Sequence, residues 1–109
     1  MLILPVLLIA GGCYKNEPVP TADFGYSANN DFKVPCTVQF SNRAVQAFSY
    51  SWWFGSDSSV TTLADPGSTL KNPTHIYTKP GIFSITLRAY TESRKEWASQ
   101  IKTIVIKAK

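Results

Sequence analysis

Between residues 48 and 55 the chain reads Phe-Ser-Tyr-Ser-Trp-Trp-Phe-Gly, and no other stretch limits the possible folds so severely. Side chains of an extended strand change sides at every residue, so Phe48, Tyr50, Trp52 and Phe54 fall on one face and Ser49, Ser51 and Trp53 on the other. A row of aromatics does not stay in water, because each ring buries ~150 to 250 Å² in a core. Another apolar wall has to close over it. Trp52 and Phe54 are the expected core residues, and Trp53 is the expected outward one, beside the start of the strand at 83–90 near Ile82 and Ser84.

The same period of two recurs along the chain. Residues 22–27 pair Phe24 with Tyr26, and residues 36–41 place Cys36, Val38 and Phe40 on one side against Thr37, Gln39 and Ser41. Residues 83–90 set Phe83, Ile85, Leu87 and Ala89 against Ser84, Thr86, Arg88 and Tyr90. The last strand, 97–107, sends Ile104 and Ile106 inward, which leaves Ile101 and Val105 on the other parity. Either that strand contains a bulge or its outer face is partly apolar. Asn29, Asn30 and Asp31 supply turn chemistry, since their side chains bond to nearby backbone and tolerate left-handed conformations. Pro80 and Gly81 suit the two central places of a type II turn. Residues 91–96 read as a polar hairpin loop, and 56–69 as a loop or two weak edge strands. No stretch has a helical period, and short strands at regular spacing predict an all-β sandwich.

A chain of 109 residues has room for one core of this kind. Hydrophobic content of 44% with 17% charged residues is that of a globular protein. The net charge of +4 comes from eleven scattered Lys and Arg with no run longer than Arg94 and Lys95. Nucleic-acid binding needs a basic patch, so the charge does not point to it.

The first thirteen residues are a different material. An apolar run over 2–10 ends in Gly11, Gly12 and Cys13 and gives way to Tyr14, Lys15, Asn16 and Glu17. The run is too short to span a bilayer, which takes ~20 apolar residues, but it fits the apolar region of a signal peptide. Small residues directly before a Cys resemble the lipobox of bacterial lipoproteins, in which the peptidase cuts before the Cys and the Cys carries the lipid. Ala10 stands where that pattern favours Leu, and no Lys or Arg precedes the run. The resemblance implies residues 1–12 as signal peptide, Cys13 as the lipidated N-terminus, 13–20 as a tether stiffened by Pro18 and Pro20, and 21–109 as the domain. The alternative is a disulfide between Cys13 and Cys36; with Cys13 lipidated, Cys36 is a small buried hydrophobe.

Tyr50, Trp52, Phe54 and Gly55 resemble the Y-x-W-D-F-G-D-G signature of PKD domains, the immunoglobulin-like repeats named after polycystic kidney disease. Asn72, Pro73, His75, Tyr77, Pro80 and Gly81 are similar to the N-P-x-H-x-Y-x-x-P-G segment of that family, and 83–87 to the strand that follows it. The likeness covers 20–107. It implies an immunoglobulin-like, PKD-type sandwich of seven strands centred on Trp52. Trp53 and Ser56 stand where the family's signature has acids.

Catalysis is hard to build from these residues. The one His, His75, lies inside the structural segment, and neither a G-x-S-x-G elbow nor a metal-binding His pair is present. Loop oxygens from Asn30, Asp31, Asp57 and Asp65 are of the type calcium takes, but loop acids are commonly just solvated. No catalytic residue, metal or cofactor is therefore assigned. The expectation is a lipid-anchored envelope protein, held at the outer membrane or cell surface, whose domain is a non-catalytic interaction or scaffold module for another envelope or extracellular protein. The alternative is a carbohydrate-binding module that stacks a sugar on exposed aromatics. Trp53, Tyr90 and Trp97 are the candidate contact residues in either case.

Overall fold

Each alternating segment becomes a strand, and the strands close over one another in two antiparallel sheets. The computed structural model describes residues 17–55 and 67–109. Among the described residues the elements are β1 (Phe24–Ala28), a single 3₁₀ turn (Asn30–Phe32), β2 (Cys36–Asn42), β3 (Ser49–Trp53), β4 (Thr74–Tyr77), β5 (Gly81–Tyr90) and β6 (Trp97–Ile106). One sheet runs β1-β2-β4 and the other β3-β5-β6, every pairing antiparallel. This is the all-β sandwich expected, with six strands described where the family resemblance implied seven.

The core is the sum of the inward parities. Phe24, Cys36, Val38 and Phe40 come from one sheet and Trp52, Ile85 and Leu87 from the other, all fully buried. Trp52 meets Phe24 edge-on at 5.1 Å and Phe40 at 5.4 Å, so the two sheets are joined at its ring. Its Nε1–H donates to the Leu70 carbonyl at 2.9 Å, and its backbone bonds Gly67 and Ser68, which satisfies the polar atoms this burial would otherwise strand. A second clasp joins the two sheets: Lys102 of β6 donates to the Phe24 carbonyl and pairs with Asp23 at 3.4 Å.

Four expectations need correction. Phe48 is 68% exposed and lies outside the aromatic row, which is therefore Tyr50, Trp52 and Phe54. It precedes β3, and at that end the ten-residue strands β5 and β6 run on past Phe24, where β1 begins, so no facing strand covers it. Ser51, read as outward, is only 4% exposed because Arg88, its cross-strand partner, lies over that face. Trp53 pairs with Thr86, not beside Ile82 and Ser84, because the β3–β5 register runs from Ser49 with Tyr90 to Trp53 with Thr86. Gly81 has φ 154, an extended conformation open to glycine, instead of the value near +80° of a type II turn; it is already the first residue of β5, paired with Ile106.

The alternative left open for β6 is also decided. Its ten residues pair one-for-one with β5 without a bulge, so Ile101 and Val105 stand on an apolar outer face. The turn after β1 is left-handed, with Asn30, Asp31 and Phe32 all at positive φ. The Asn29 side chain accepts the Thr37 N–H there at 2.8 Å, as its turn chemistry foretold.

Candidate interaction surface

Trp53, Tyr90 and Trp97 come from three different strand positions, and the structure brings them together on the outer face of β3-β5-β6. Residues of one parity in neighbouring strands share a face, so Trp53, Arg88, Tyr90 and Trp97 line up across the sheet. The Arg88 guanidinium lies over both indoles, 5.4 Å from the Trp53 ring centre and 4.7 Å from that of Trp97. Trp97 and Tyr90 are cross-strand partners with ring centres 6.3 Å apart, and Arg94 caps Tyr90 at 4.0 Å while donating to the Ser49 hydroxyl at 3.1 Å. The result is a ladder of alternating rings and cations.

The ladder gives each ring a different degree of access. Trp53 is half-buried beneath Arg88, Tyr90 is 7% exposed, and Trp97 remains 48% exposed. Guanidinium planes favour aromatic faces, and Arg88 makes no ion pair among the described residues, so the rings are its partners. Trp53 Nε1 and Arg88 Nε are buried without a hydrogen-bond partner among those residues. Beyond the ladder the same face exposes Ile82 and Val105, which pair across β5 and β6, and Ile101 opposite Thr86. An apolar stripe rimmed by cations is suited to contact with another surface.

The residues of the N-P-x-H segment have structural work. Asn72 accepts the Asn42 N–H at 2.8 Å, Pro73 is fully buried, and its carbonyl accepts the Phe40 N–H at 2.9 Å. His75 stacks on Phe54 at 4.5 Å and 16° with Tyr77 edge-on at 4.5 Å; burial pushes its imidazole below the usual range. The Tyr77 hydroxyl donates to the Phe54 carbonyl at 2.8 Å, and burial, with a smaller contribution from nearby Cys36, holds it well above its ordinary value. Tyr50 packs against the core from its rim. Gly55 has φ 62, and a Cβ there would stand 2.7 Å from the Ser84 carbonyl oxygen, so the end of β3 closes onto β5 only with glycine.

Cys36 is buried and unpaired among the described residues, and burial weakens the acidity of its thiol. The lipidation position Cys13 and the loop acids Asp57 and Asp65 lie outside the described residues. Asn30 donates its side-chain amide to the Lys33 carbonyl at 2.9 Å, a turn-closing role, and no group of three or more His, Cys, Asp or Glu gathers among the described residues.

The sequence profile of the PKD domain family matches residues 15–106. The chain belongs to the PKD domain family. Two solved PKD domains superpose on it: the PKD1 domain of the Vibrio cholerae metalloprotease PrtV, with TM-score 0.63 and 24% identity over 83% of this chain and 99% of that one, and the PKD1 domain of Vibrio anguillarum Epp, with TM-score 0.65 and 17% identity over 86% and 100%. No curated protein matches the chain. These likenesses establish the immunoglobulin-like sandwich. PKD domains are typically non-catalytic modules of protein or surface interaction.

Sequence reasoning placed Trp53, Tyr90 and Trp97 on the surface side but missed what binds them into a unit. Arg88 was legible as an outward residue of the strand at 83–90, and Arg94 as a hairpin cation. Their stacking depends on the register of three strands, of which β3 is separated from the β5–β6 hairpin by more than twenty-five residues. No local pattern carries that register.

Proposed function

We propose that this PKD domain is a lipid-anchored, non-catalytic interaction module of the bacterial cell envelope, held by a lipid on Cys13 and meeting another envelope or extracellular protein. The observation that supports a protein contact is the outer face of β3-β5-β6, where Ile82, Ile101 and Val105 are all more than half exposed on the face that also carries Trp97. An apolar sheet face of this kind suits a protein surface. The sugar-binding alternative needs an open flat ring, and Arg88 already occupies a face of both indoles. Trp97 is the ring left for it.

A photo-crosslinking amino acid at position 101, compared with one at position 76 on the exposed face of the opposite sheet, tests the reading in cells producing the full-length protein. Crosslinks to one partner from position 101 alone support it; equal or absent crosslinking from both removes this face. Glycan binding lost in Trp97→Ala would favour the alternative. Mass spectrometry of the purified protein reads the anchor directly: an unmodified Cys13, or another N-terminus, overturns that part.

A further inference from the structure

The two ends of the sandwich differ. At one end, Glu17 is fastened to the β5–β6 hairpin: its carboxylate accepts the Ser93 hydroxyl at 2.6 Å and the Ser93 N–H at 3.1 Å, and these bonds hold it below the usual carboxylate range. Thr21 bridges Val45 in the loop between β2 and β3, and Phe48 donates its N–H to Tyr90 at 2.8 Å. Residues 17–21, loop 43–48 and hairpin 91–96 therefore form one tip. That tip exposes Val19, Val45 and Phe48, each more than half accessible, with Trp97 at the foot of the hairpin. At the opposite end the described loops 29–35 and 78–80 present Asn29, Asn30, Asp31, Lys33 and Lys79; the exposed apolar pair nearest them, Ile82 and Val105, stands on the outer face of the sheet and not in these loops.

We propose that the tip formed by loop 43–48 and hairpin 91–96 rests on the lipid headgroup layer, with Val45 and Phe48 entering it. The proposal rests on the lipid at Cys13. Glu17 follows Cys13 by four residues, a reach of about 14 Å at full extension. A headgroup layer is roughly 5 to 8 Å deep, so a tip pinned at Glu17 cannot stand far from the surface. Exposed Val and Phe side chains are suited to that boundary, where the apolar body meets the headgroup and acyl region. Arg43, Arg94 and Lys95 are offset by Glu17, Glu92 and Glu96 at the same tip, so the contact is apolar in character and only weakly dependent on salt or on lipid charge. Lipid holds the protein, and the tip sets its orientation. The ladder face then stands side-on to the membrane.

The test is NMR of the full-length lipidated protein in lipid nanodiscs doped with a gadolinium-chelating headgroup. Relaxation enhancement is expected to be several-fold stronger at 45–48 and 92–97 than at 30–33 and 79–81, and Phe48→Ser with Val45→Ser is expected to even it out. Enhancement that is uniform, or strongest at 30–33 and 79–81, overturns the proposal. The lipid on Cys13 is read by mass spectrometry of the same sample. If it is absent the anchoring reading has failed, and a maleimide phospholipid coupled to Cys13, with Cys36 shielded by burial, tests the surface contact on its own: the same gradient upholds it and an even pattern overturns it.

Discussion

Trp52 and Trp53 are adjacent in the chain and identical in chemistry, yet the fold uses them in opposite ways. Trp52 is sealed among Phe24, Phe40 and Phe54, and its indole N–H is bonded to Leu70. Trp53 points out of the same strand, is covered on one face by Arg88, and leaves its N–H without a partner among the described residues. The strand alternation sends one ring to the core and the other to the surface. What then separates them is the kind of cover: an interlocked aromatic cluster over Trp52 and, among the described residues, the long Arg88 side chain over Trp53.

Replacing each ring in turn is the strongest way to break this comparison. Trp52→Ala is expected to cost about 3 to 5 kcal/mol, the usual range for deleting a buried large aromatic. Domains of this size are stable by only ~5 to 15 kcal/mol, so the variant is expected to lie near unfolding at 37 °C. Trp53→Ala removes a half-buried ring and one cation contact and is expected to cost about 1 to 2 kcal/mol. Denaturant midpoints of the two variants measure both. If Trp53 proves the costlier, the inward and outward parities of β3 are exchanged and the register given above is wrong.

A finer cut asks whether Arg88 and Trp53 act together. A double-mutant cycle of Arg88→Ala and Trp53→Ala is expected to give a coupling of about 0.5 to 1 kcal/mol, the size of a cation contact with an accessible ring. The cycle of Arg88→Ala with Trp97→Ala, where the guanidinium is nearer at 4.7 Å, is expected to give at least as much. Additivity in both cycles would reduce the ladder to side chains that happen to adjoin.

The contrast also explains what the sequence could and could not disclose. Trp52, Phe40, Ile85 and Leu87 were legible because the hydrophobic pattern of one strand reports its own two faces. Phe48 obeyed the same pattern and is exposed, since alternation says which side a residue faces and nothing about whether the opposite sheet reaches that far. Ser51 failed for the converse reason: a polar residue on the outer parity is buried by Arg88 of a strand more than thirty positions later. The unity of Trp53, Arg88 and Trp97 likewise depends on pairing between segments. Local pattern therefore gave the core almost entire and the candidate surface only as separate residues.

The smallest expected effect concerns His75, which lies on the core side of the comparison, stacked on Phe54 next to Trp52. Burial disfavours its charged form, so its pKa in the folded protein lies below the ordinary 6.5 of the unfolded chain. Between those two values the unfolded state binds more protons than the folded one, and stability therefore rises with pH. Acidification from about pH 7.5 to about pH 5 is expected to lower the melting temperature, the loss beginning near the unfolded value and ending below the folded one. Asp23 and Glu17 are also held below their ordinary values, Asp23 chiefly by the Phe24 N–H and Glu17 by Ser93. Their contributions persist above the unfolded values of 3.8 and 4.5 and fade as the pH falls through and below those values. His75→Gln is therefore expected to flatten the melting temperature between about pH 5 and about pH 7.5 while leaving the acid limb below it intact. An unchanged slope in that variant would mean that His75 is no more desolvated in the folded protein than in the unfolded chain.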